Sequence, residues 1–400
     1  TIFFHTSGGA KVLDIVESCR SEENSVLMSY CDRVAGGLTQ RTEDQKKSQL
    51  CFQFVGQGTL KPGVCKDLFV SNNAFRSACK ECDVILKPIL DMSMIDLLYG
   101  DDSAEVSSIL ETKFAQPILV ALEYCMAQVW LAQGIVPSAL VGHSIGEYAA
   151  AIVAGVFTLK DGLHLVSLRG KLTQDEPGTY GSMVSLRAQA NDVIHAIGES
   201  GLGSEVALAC VNGAKSTVIS GSAKATSAIA AILKCPNVAL SVKHAFHSPL
   251  MASIESTYRT ALAEVKMGVP SIPIISTVTG GRVGPEVTTV QYWIQHMLCS
   301  VLYTTAMDTL FDDGLSYALE IGPDLTLTKL GKQAHRIWAK RENSADTNVT
   351  FTAAADCQST TFQDTVNVLR TAFCPNVSVT QTEELHLRKI PYKNQHYALL

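Results

Sequence analysis

The chain has 400 residues, of which 46% are hydrophobic and 18% are charged, and its formal net charge is −6. A chain of this length and composition buries the core of two or three domains, which excludes disordered and fibrous proteins. With 32 basic against 38 acidic side chains, it has no basic excess to neutralise a phosphate backbone. Nucleic acid is therefore not an expected partner.

Cysteine content and hydropathy indicate a cytoplasmic protein without a membrane span. The 12 cysteines are too sparse and irregular for a disulfide scaffold. The longest apolar stretch, from Ala139 to Leu159, contains His143 and Glu147, which are costly to bury in lipid. The sequence starts at Thr1 with no targeting segment, and we expect a piece of a longer polypeptide.

A polar segment opens the chain, and the first apolar run follows it. Residues 1–49 are weakly periodic, which is typical of a linker. The apolar run from Cys51, which ends at Gly56 and Gly58, predicts a buried strand that enters a tight loop. Gln57 in this loop is a natural source of a backbone N–H for an oxyanion.

Two helices are predicted next. The first begins near Asn73 and continues until Pro88 interrupts it. The second has Pro117 in its first turn, and its apolar residues recur at three- and four-residue spacing up to Gly134. This second helix is amphipathic, so one face is expected to pack on a core.

The sequence GHSIG, residues Gly142–Gly146, lies between a short apolar strand and an alanine-rich helix. In this context the pattern predicts a sharp turn that exposes the hydroxyl of Ser144. The N–H of Ile145 would then point out of a helix N-terminus. The alternative for Ser144 is a serine that only caps the helix.

From Gly181 the predicted elements follow the order strand, helix, strand, strand, helix, strand. This βαββαβ order is typical of a ferredoxin-like unit. We assign it to residues 181–246, inserted into a larger α/β subdomain made of residues 50–180 and 247–340. Residues 341–400 are predicted to form a second linker.

A nucleophilic serine needs a base to remove its proton, and ten histidines are candidates. The segment KHAFHSPLM lies where the inserted unit returns to the larger subdomain, an interface of the kind at which clefts form. His247 is the favoured base, and His244 is expected to shape the pocket. The alternative for either is an interfacial histidine bonded to a backbone carbonyl.

Three further features of the sequence each lead to a separate prediction. Arg169, about one helix beyond GHSIG, is either solvated or, if it faces a cleft, a fork for a substrate carboxylate. Cys79 and Cys82 form a CxxC without a second pair at zinc spacing, so no metal site is predicted. Asn212 and Gly213 indicate a hairpin turn.

A set of short motifs occurs in order between about residues 51 and 335: FVGQG, AQP, GHSIGEYAA, LRG, GSM, VNGAKSTVISG, HAFHSPLM, YW and EIGP. Together they resemble the malonyl-CoA:acyl-carrier-protein transacylases and the acyltransferase domains of polyketide and fatty acid synthases. The resemblance implies an α/β-hydrolase-like large subdomain with a ferredoxin-like insertion, which agrees with the order of elements. It also implies that the flanking segments join neighbouring synthase domains.

The resemblance implies a role for each matched position. Ser144 is the nucleophile and His247 its base. The backbone N–H groups of Gln57 and Ile145 form the oxyanion hole, and Arg169 holds the substrate carboxylate. The remaining substrate-binding positions are His244, Phe246, Gln116, Asn212 and His296.

Two positions bear on specificity and on the orientation of the base. The segment HAFH, ending at His247, goes with malonyl rather than methylmalonyl units in this family. The ring of Phe246 gives a steric reason, since it leaves little room for a methyl branch. Where the family generally has Asn or Gln to help orient the histidine, this chain has His296, and a backbone carbonyl would have to orient His247 instead.

The expected reaction moves a malonyl unit from malonyl-CoA, through a serine ester, to the phosphopantetheine thiol of an acyl carrier protein. Neighbouring synthase domains such as a ketosynthase are the other expected partners, and no bound cofactor or metal is expected. Two alternatives remain. One is a serine esterase or thioesterase that uses the same turn, and the other is a decayed domain retained for docking.

Overall fold

The computed structural model describes residues 49–101, 108–344, 348–354 and 360–373. The predicted N-terminal linker, apart from Gln49, and the C-terminal residues from 374 onward lie outside them. The strands are β1 (Gln49–Phe54), β2 (Ala139–Gly142), β3 (Ser182–Leu186), β4 (Val206–Gly213), β5 (Ser216–Gly221), β6 (Asn237–Ala239), β7 (Ile274–Ile275), β8 (Leu315–Ile321) and β9 (Thr350–Ala353). The α-helices are α1 (Lys66–Ser71), α2 (Asn73–Leu90), α3 (Met94–Tyr99), α4 (Thr112–Ala132), α5 (Gly146–Ala154), α6 (Leu159–Asp175), α7 (Ala190–Ser200), α8 (Ala223–Leu233), α9 (Glu255–Ala263), α10 (Val290–Leu298), α11 (Tyr303–Asp312), α12 (Thr326–Arg341) and α13 (Thr360–Phe373).

Five strands form a parallel sheet in the order β7-β2-β1-β8-β9. Strands β1 and β2 are almost completely buried, as is usual for parallel strands covered by helices. Their register pairs Phe54 with Gly142, so both strands end at the same edge of the sheet. The loops that follow them, at Gly56 and His143, therefore lie side by side.

Strands β3 to β6 form a separate antiparallel sheet in the order β4-β5-β3-β6. Together with α7 and α8 this sheet makes the inserted small subdomain, which has an apolar core of its own around Val193, Ile219 and Ile229. The predicted fold class, a large α/β subdomain with a βαββαβ insertion, is confirmed.

Backbone hydrogen bonds tie the small sheet to the large subdomain. The N–H of Val301 donates to the carbonyl of Ala209 over 2.8 Å, and the N–H of Val211 donates to the carbonyl of Val301 over 2.8 Å. Strand β4 is therefore fixed to the segment that follows α10.

The structure differs from the boundary predicted at residue 340. Strand β9 pairs with β8, and Phe351 and Ala353 point into the core. Helix α13 follows it in the chain. The apolar run of β9 is only four residues long and is surrounded by polar sequence, which is why composition indicated a linker.

The two prolines predicted to mark helix boundaries both lie inside helices. Helix α2 continues through Pro88 to Leu90, and α4 begins at Thr112, before Pro117. A proline within a helix lacks the N–H that would bond to the carbonyl four residues earlier. Gly170 of α6 packs closely against the first turn of α4. A Cβ atom on Gly170 would lie 2.8 Å from the carbonyl oxygen of Thr112.

Helix α4 is long and apolar enough to cross a membrane, but 89% of its most apolar stretch is buried inside the protein. It packs against α6 and α2, and its buried side chains include Ile118, Leu122 and Cys125. In this fold α4 is a core helix.

Candidate active site

The turn at GHSIG connects β2 to α5, and its backbone is tightly folded. Ser144 has φ of 53°, in the left-handed region that a residue with a Cβ atom adopts at a cost of about 1–3 kcal/mol. A Cβ atom on Gly142 would collide with the backbone of Glu147, and one on Gly146 with the carbonyl of Val55. Glycine is therefore required on both sides of the serine, which agrees with the sharp turn predicted from GHSIG.

Ser144 and His247 are 103 positions apart in the chain and meet at the site. The Oγ atom of Ser144 lies 2.6 Å from Nε2 of His247, and Nδ1 of His247 lies 2.9 Å from the carbonyl of Cys299. Because a carbonyl only accepts, Nδ1 carries the proton and donates it to Cys299. Nε2 is then free to accept the serine hydroxyl.

His247 is 2% exposed, and its surroundings keep it uncharged. Burial lowers the pKa of His247 to about 3, and the positive charge of Arg169 adds to this effect. A neutral imidazole whose Nε2 faces a serine hydroxyl is the arrangement that general-base catalysis requires.

Gln57 and Ile145 follow the two adjacent strands β1 and β2. Neither of their backbone N–H groups donates a hydrogen bond to another atom of the described residues. Two such N–H groups next to a nucleophile are suited to stabilise an oxyanion. Nε2 of Gln116 donates to Oε1 of Gln57 over 3.2 Å and so holds the side chain of this loop residue, while substrate binding by Gln116 stays a prediction.

Arg169 lies on α6 and is 1% exposed, which excludes the solvated alternative. Its guanidinium carbon lies 5.8 Å from the ring centre of Tyr148. Within the described part of the chain, Nε and Nη1 of Arg169 have no hydrogen-bond partner. Buried charges are normally paired, and these two nitrogens remain available to donate hydrogen bonds to an anion.

His244 and Phe246 precede the base in the chain, and both are buried. The Oγ1 atom of Thr179 lies 2.7 Å from the carbonyl of Thr173 and 3.0 Å from Nδ1 of His244. The hydroxyl donates its single proton to a carbonyl, so Nδ1 of His244 donates to Thr179. The ring of His244 is thereby fixed 6.0 Å from that of Phe246.

Asn212 lies in β4 rather than in the hairpin turn, which residues 214–215 make. Its Oδ1 atom is 2.8 Å from Nε2 of His143, the residue before the nucleophile. The side chain of Asn212 therefore contacts the large subdomain next to Ser144. A Cβ atom on Gly56 would lie 2.9 Å from Nδ1 of His143, so the same histidine also fills the space beside the first loop.

His296 does not orient the base. Its Nε2 lies 2.9 Å from the carbonyl of Ser144, whereas the carbonyl of Cys299 takes the hydrogen bond from His247. A backbone acceptor for His247 was predicted from sequence, but the residue that provides it was not. A backbone carbonyl is present at every position, so sequence carries no indication of the one that is used.

A buried polar cluster behind the turn was missed from sequence. Glu147 accepts hydrogen bonds from the N–H of Thr277 at 2.9 Å, from the Thr277 hydroxyl at 2.7 Å, and from the hydroxyl of Tyr292. Burial raises the pKa of Glu147, and these hydrogen bonds oppose the rise. The carboxyl group thus connects the first turn of α5 to α10. Glu147 and Tyr292 both lie in motifs that were recognised in the sequence, and their presence was the only available indication of this cluster.

Comparison with known proteins places this site in a family. The model of the acyl transferase domain family matches residues 51–369. The spectinabilin polyketide synthase system protein NorB of Streptomyces orinoci is 35% identical over 306 residues, which are 75% of this chain but only 14% of that protein.

Solved structures give the same result. The acyltransferase domain from the second module of the salinomycin polyketide synthase is 28% identical, with a TM-score of 0.68, over 83% of this chain and 76% of that one. The malonyl-CoA:acyl carrier protein transacylase of Xanthomonas oryzae pv. oryzae is 26% identical, with a TM-score of 0.70, over 80% of this chain and 98% of that one. The chain therefore belongs to the acyl transferase domain family.

Proposed function

We propose that the chain transfers a malonyl unit from malonyl-CoA to the phosphopantetheine thiol of an acyl carrier protein, as one domain of a polyketide synthase. The observation that carries this proposal is Arg169, which is buried and has two donor nitrogens without a partner among the residues that the structure describes. Hydrogen bonds from a guanidinium to a carboxylate are charge-assisted and about twice as strong as hydrogen bonds between neutral groups. An acyl group that ends in a carboxylate therefore fits this pocket better than acetyl.

In the first half-reaction, Oγ of Ser144 attacks the thioester carbon of malonyl-CoA while Nε2 of His247 accepts the hydroxyl proton. The N–H groups of Gln57 and Ile145 stabilise the negative oxygen of the tetrahedral intermediate. The intermediate collapses to a malonyl-serine ester, and the thiol of coenzyme A leaves with the proton from His247.

In the second half-reaction, the phosphopantetheine thiol gives its proton to His247 and attacks the ester. The same N–H groups stabilise the second oxyanion, and the hydroxyl of Ser144 is restored when the proton returns. No step uses a cofactor. The neutral state of His247 suits both directions of proton transfer, because the base must be unprotonated at the start of each half-reaction.

The preference for malonyl over methylmalonyl is also part of the proposal. Phe246 is buried next to the base in sequence, and the ring of His244 beside it is held by Thr179. A fixed aromatic pair of this kind resists repacking around an added methyl branch. The His244–Phe246 pair supports a pocket for an unbranched acyl unit.

Transfer is favoured over hydrolysis by the partner of His247. A serine hydrolase normally has an acid bonded to the histidine, and here Nδ1 of His247 donates to a backbone carbonyl.

The eight cysteines of the described residues are all free thiols, which supports a reducing cytoplasm as the location.

The test is intact-protein mass spectrometry after mixing the chain with a panel of acyl-CoAs, with and without a carrier protein. We expect a malonyl adduct on the wild type, none on Ser144→Ala, and transfer of the adduct to the carrier. Rapid release of malonate without a carrier would favour the hydrolase. A chain that takes up no acyl group would favour the decayed docking module.

A further inference from the structure

The side chain of His296 contacts the backbone of the nucleophile, although no step of the proposed reaction uses it. Its Nε2 lies 2.9 Å from the carbonyl of Ser144 and carries a proton, because a carbonyl only accepts. Its Nδ1 has no partner among the described residues. Burial and the nearby charge of Arg169 lower the pKa of His296 well below its usual value, so the ring is neutral.

The carbonyl of Ser144 belongs to the strained part of the turn. Ser144 has φ of 53°, a conformation that costs a non-glycine residue free energy and that the surroundings must therefore hold. This carbonyl accepts a hydrogen bond from the N–H of Glu147 at 3.0 Å, within the turn itself. His296 adds a second bond to the same carbonyl from a different helix.

The donor is itself firmly placed. The ring of His296 lies 5.4 Å from that of Trp293 and 5.4 Å, edge to face, from that of Tyr148. Just after α10, which carries His296, the carbonyl of Cys299 accepts a hydrogen bond from His247. The backbone of Val301 forms hydrogen bonds with strand β4. One stretch of chain thus holds the serine by a side chain and the base by a carbonyl.

We propose that His296 is a positioning residue that holds the backbone of Ser144 in its left-handed conformation, which keeps Oγ within reach of His247. This inference rests on the proposed function and adds to it. The family resemblance implied that the residue at position 296 orients the base, His247. We infer that in this chain it orients the nucleophile, Ser144.

The test compares His296→Gln, whose amide can still donate to the carbonyl, with His296→Leu, which cannot. Single-turnover acylation by malonyl-CoA and labelling of Ser144 by a fluorophosphonate are both measured. We expect the maximal rate constant of both reactions to fall by about tenfold to a hundredfold in the leucine variant. The reagent concentration that gives half the maximal rate should change by about twofold at most. Glutamine should restore most of both rates.

Gln295→Leu is the matched control, since it adds the same side chain at the exposed neighbouring position and should leave both rates unchanged. If His296→Leu does not fold, His296→Met replaces it. A folded apolar variant that reacts at wild-type rates, or a folded glutamine variant as slow as leucine, would overturn the inference. A wild type that reacts with fluorophosphonate but not with malonyl-CoA would refute the proposed function alone, because the effect of position 296 on labelling would still be measured.

Discussion

The small antiparallel subdomain and the catalytic edge of the parallel sheet differ in how they treat buried polar groups. In the described part of the small subdomain, the hydroxyl of Ser220 is the one buried polar side-chain group without a partner. Other buried polar groups there are paired, as Thr217 is with the carbonyl of Ala188 over 3.2 Å. At the catalytic edge, Arg169 and His296 both have side-chain nitrogens without a partner in the described part of the chain.

Backbone strain follows the same division. Ser144 and His247 both have positive φ, and both lie at the site. In the small subdomain the described non-glycine residue with positive φ is Lys234, which ends a helix in the ordinary way. Among the described residues, the small subdomain thus pairs all but one of its buried polar side chains and keeps its backbone relaxed. The catalytic edge keeps guanidinium donors available for a substrate and holds its nucleophile in a strained conformation.

Among the substitutions that test this contrast, His247→Ala is expected to lower the acylation rate constant most. Without a base at Nε2, the hydroxyl of Ser144 keeps its proton, and we expect the acylation rate constant to fall by about a hundredfold to ten-thousandfold. Stopped-flow or quenched-flow acylation by malonyl-CoA measures it. A fall of less than about tenfold would show that another group acts as the base.

Two glycine substitutions sharpen the comparison of the regions. In Gly146→Ala the new methyl group meets the carbonyl of Val55, and we expect the free energy of unfolding to fall by about 1–3 kcal/mol together with loss of acylation. In Gly198→Ala, on α7, the methyl group enters open space, and stability should rise by about 0.5–1 kcal/mol with unchanged acylation. Urea denaturation measures both. Equal stability changes in the two variants would contradict the account.

The smallest expected effect is that of pH. Because the pKa of His247 is lowered to about 3, the base stays neutral, and the acylation rate should not decline through protonation of His247 between pH 8 and about 5. The contribution of His247 to stability is fully present above its unfolded pKa of about 6.5 and is lost as the pH falls toward about 3. Single-turnover acylation across this range checks the activity. A tenfold loss per pH unit below 6.5 would mean that His247 titrates normally.

Local sequence predicted the turn at Ser144 well, because the strand, the two glycines and the helix are consecutive in the chain. The pairing of Ser144 with His247 was predicted from the position of HAFH at the return to the large subdomain and from the family resemblance. The carbonyl of Cys299 was not predictable, since every residue has one.

Other features depend on packing that sequence does not display. Arg169 is buried because α6 turns it toward Tyr148, whereas a pattern on one helix leaves both orientations open. Gln116 could bind a substrate or a neighbouring loop, and only the fold brings it to Gln57. Strand β9 is recognisable through its pairing with β8 and not through its four residues alone.

The claim on which the account depends most is that Arg169 selects acyl groups with a free carboxylate. The most direct measurement is the ratio of the acylation rate constants of Ser144 with malonyl-CoA and acetyl-CoA, in the wild type and in Arg169→Ala, with Arg187→Ala as an exposed control. The account predicts that Arg169→Ala lowers this ratio by about a hundredfold or more, mainly through slower reaction with malonyl-CoA, while the control leaves it unchanged. Equal losses for both donors, or no loss for either, would contradict it.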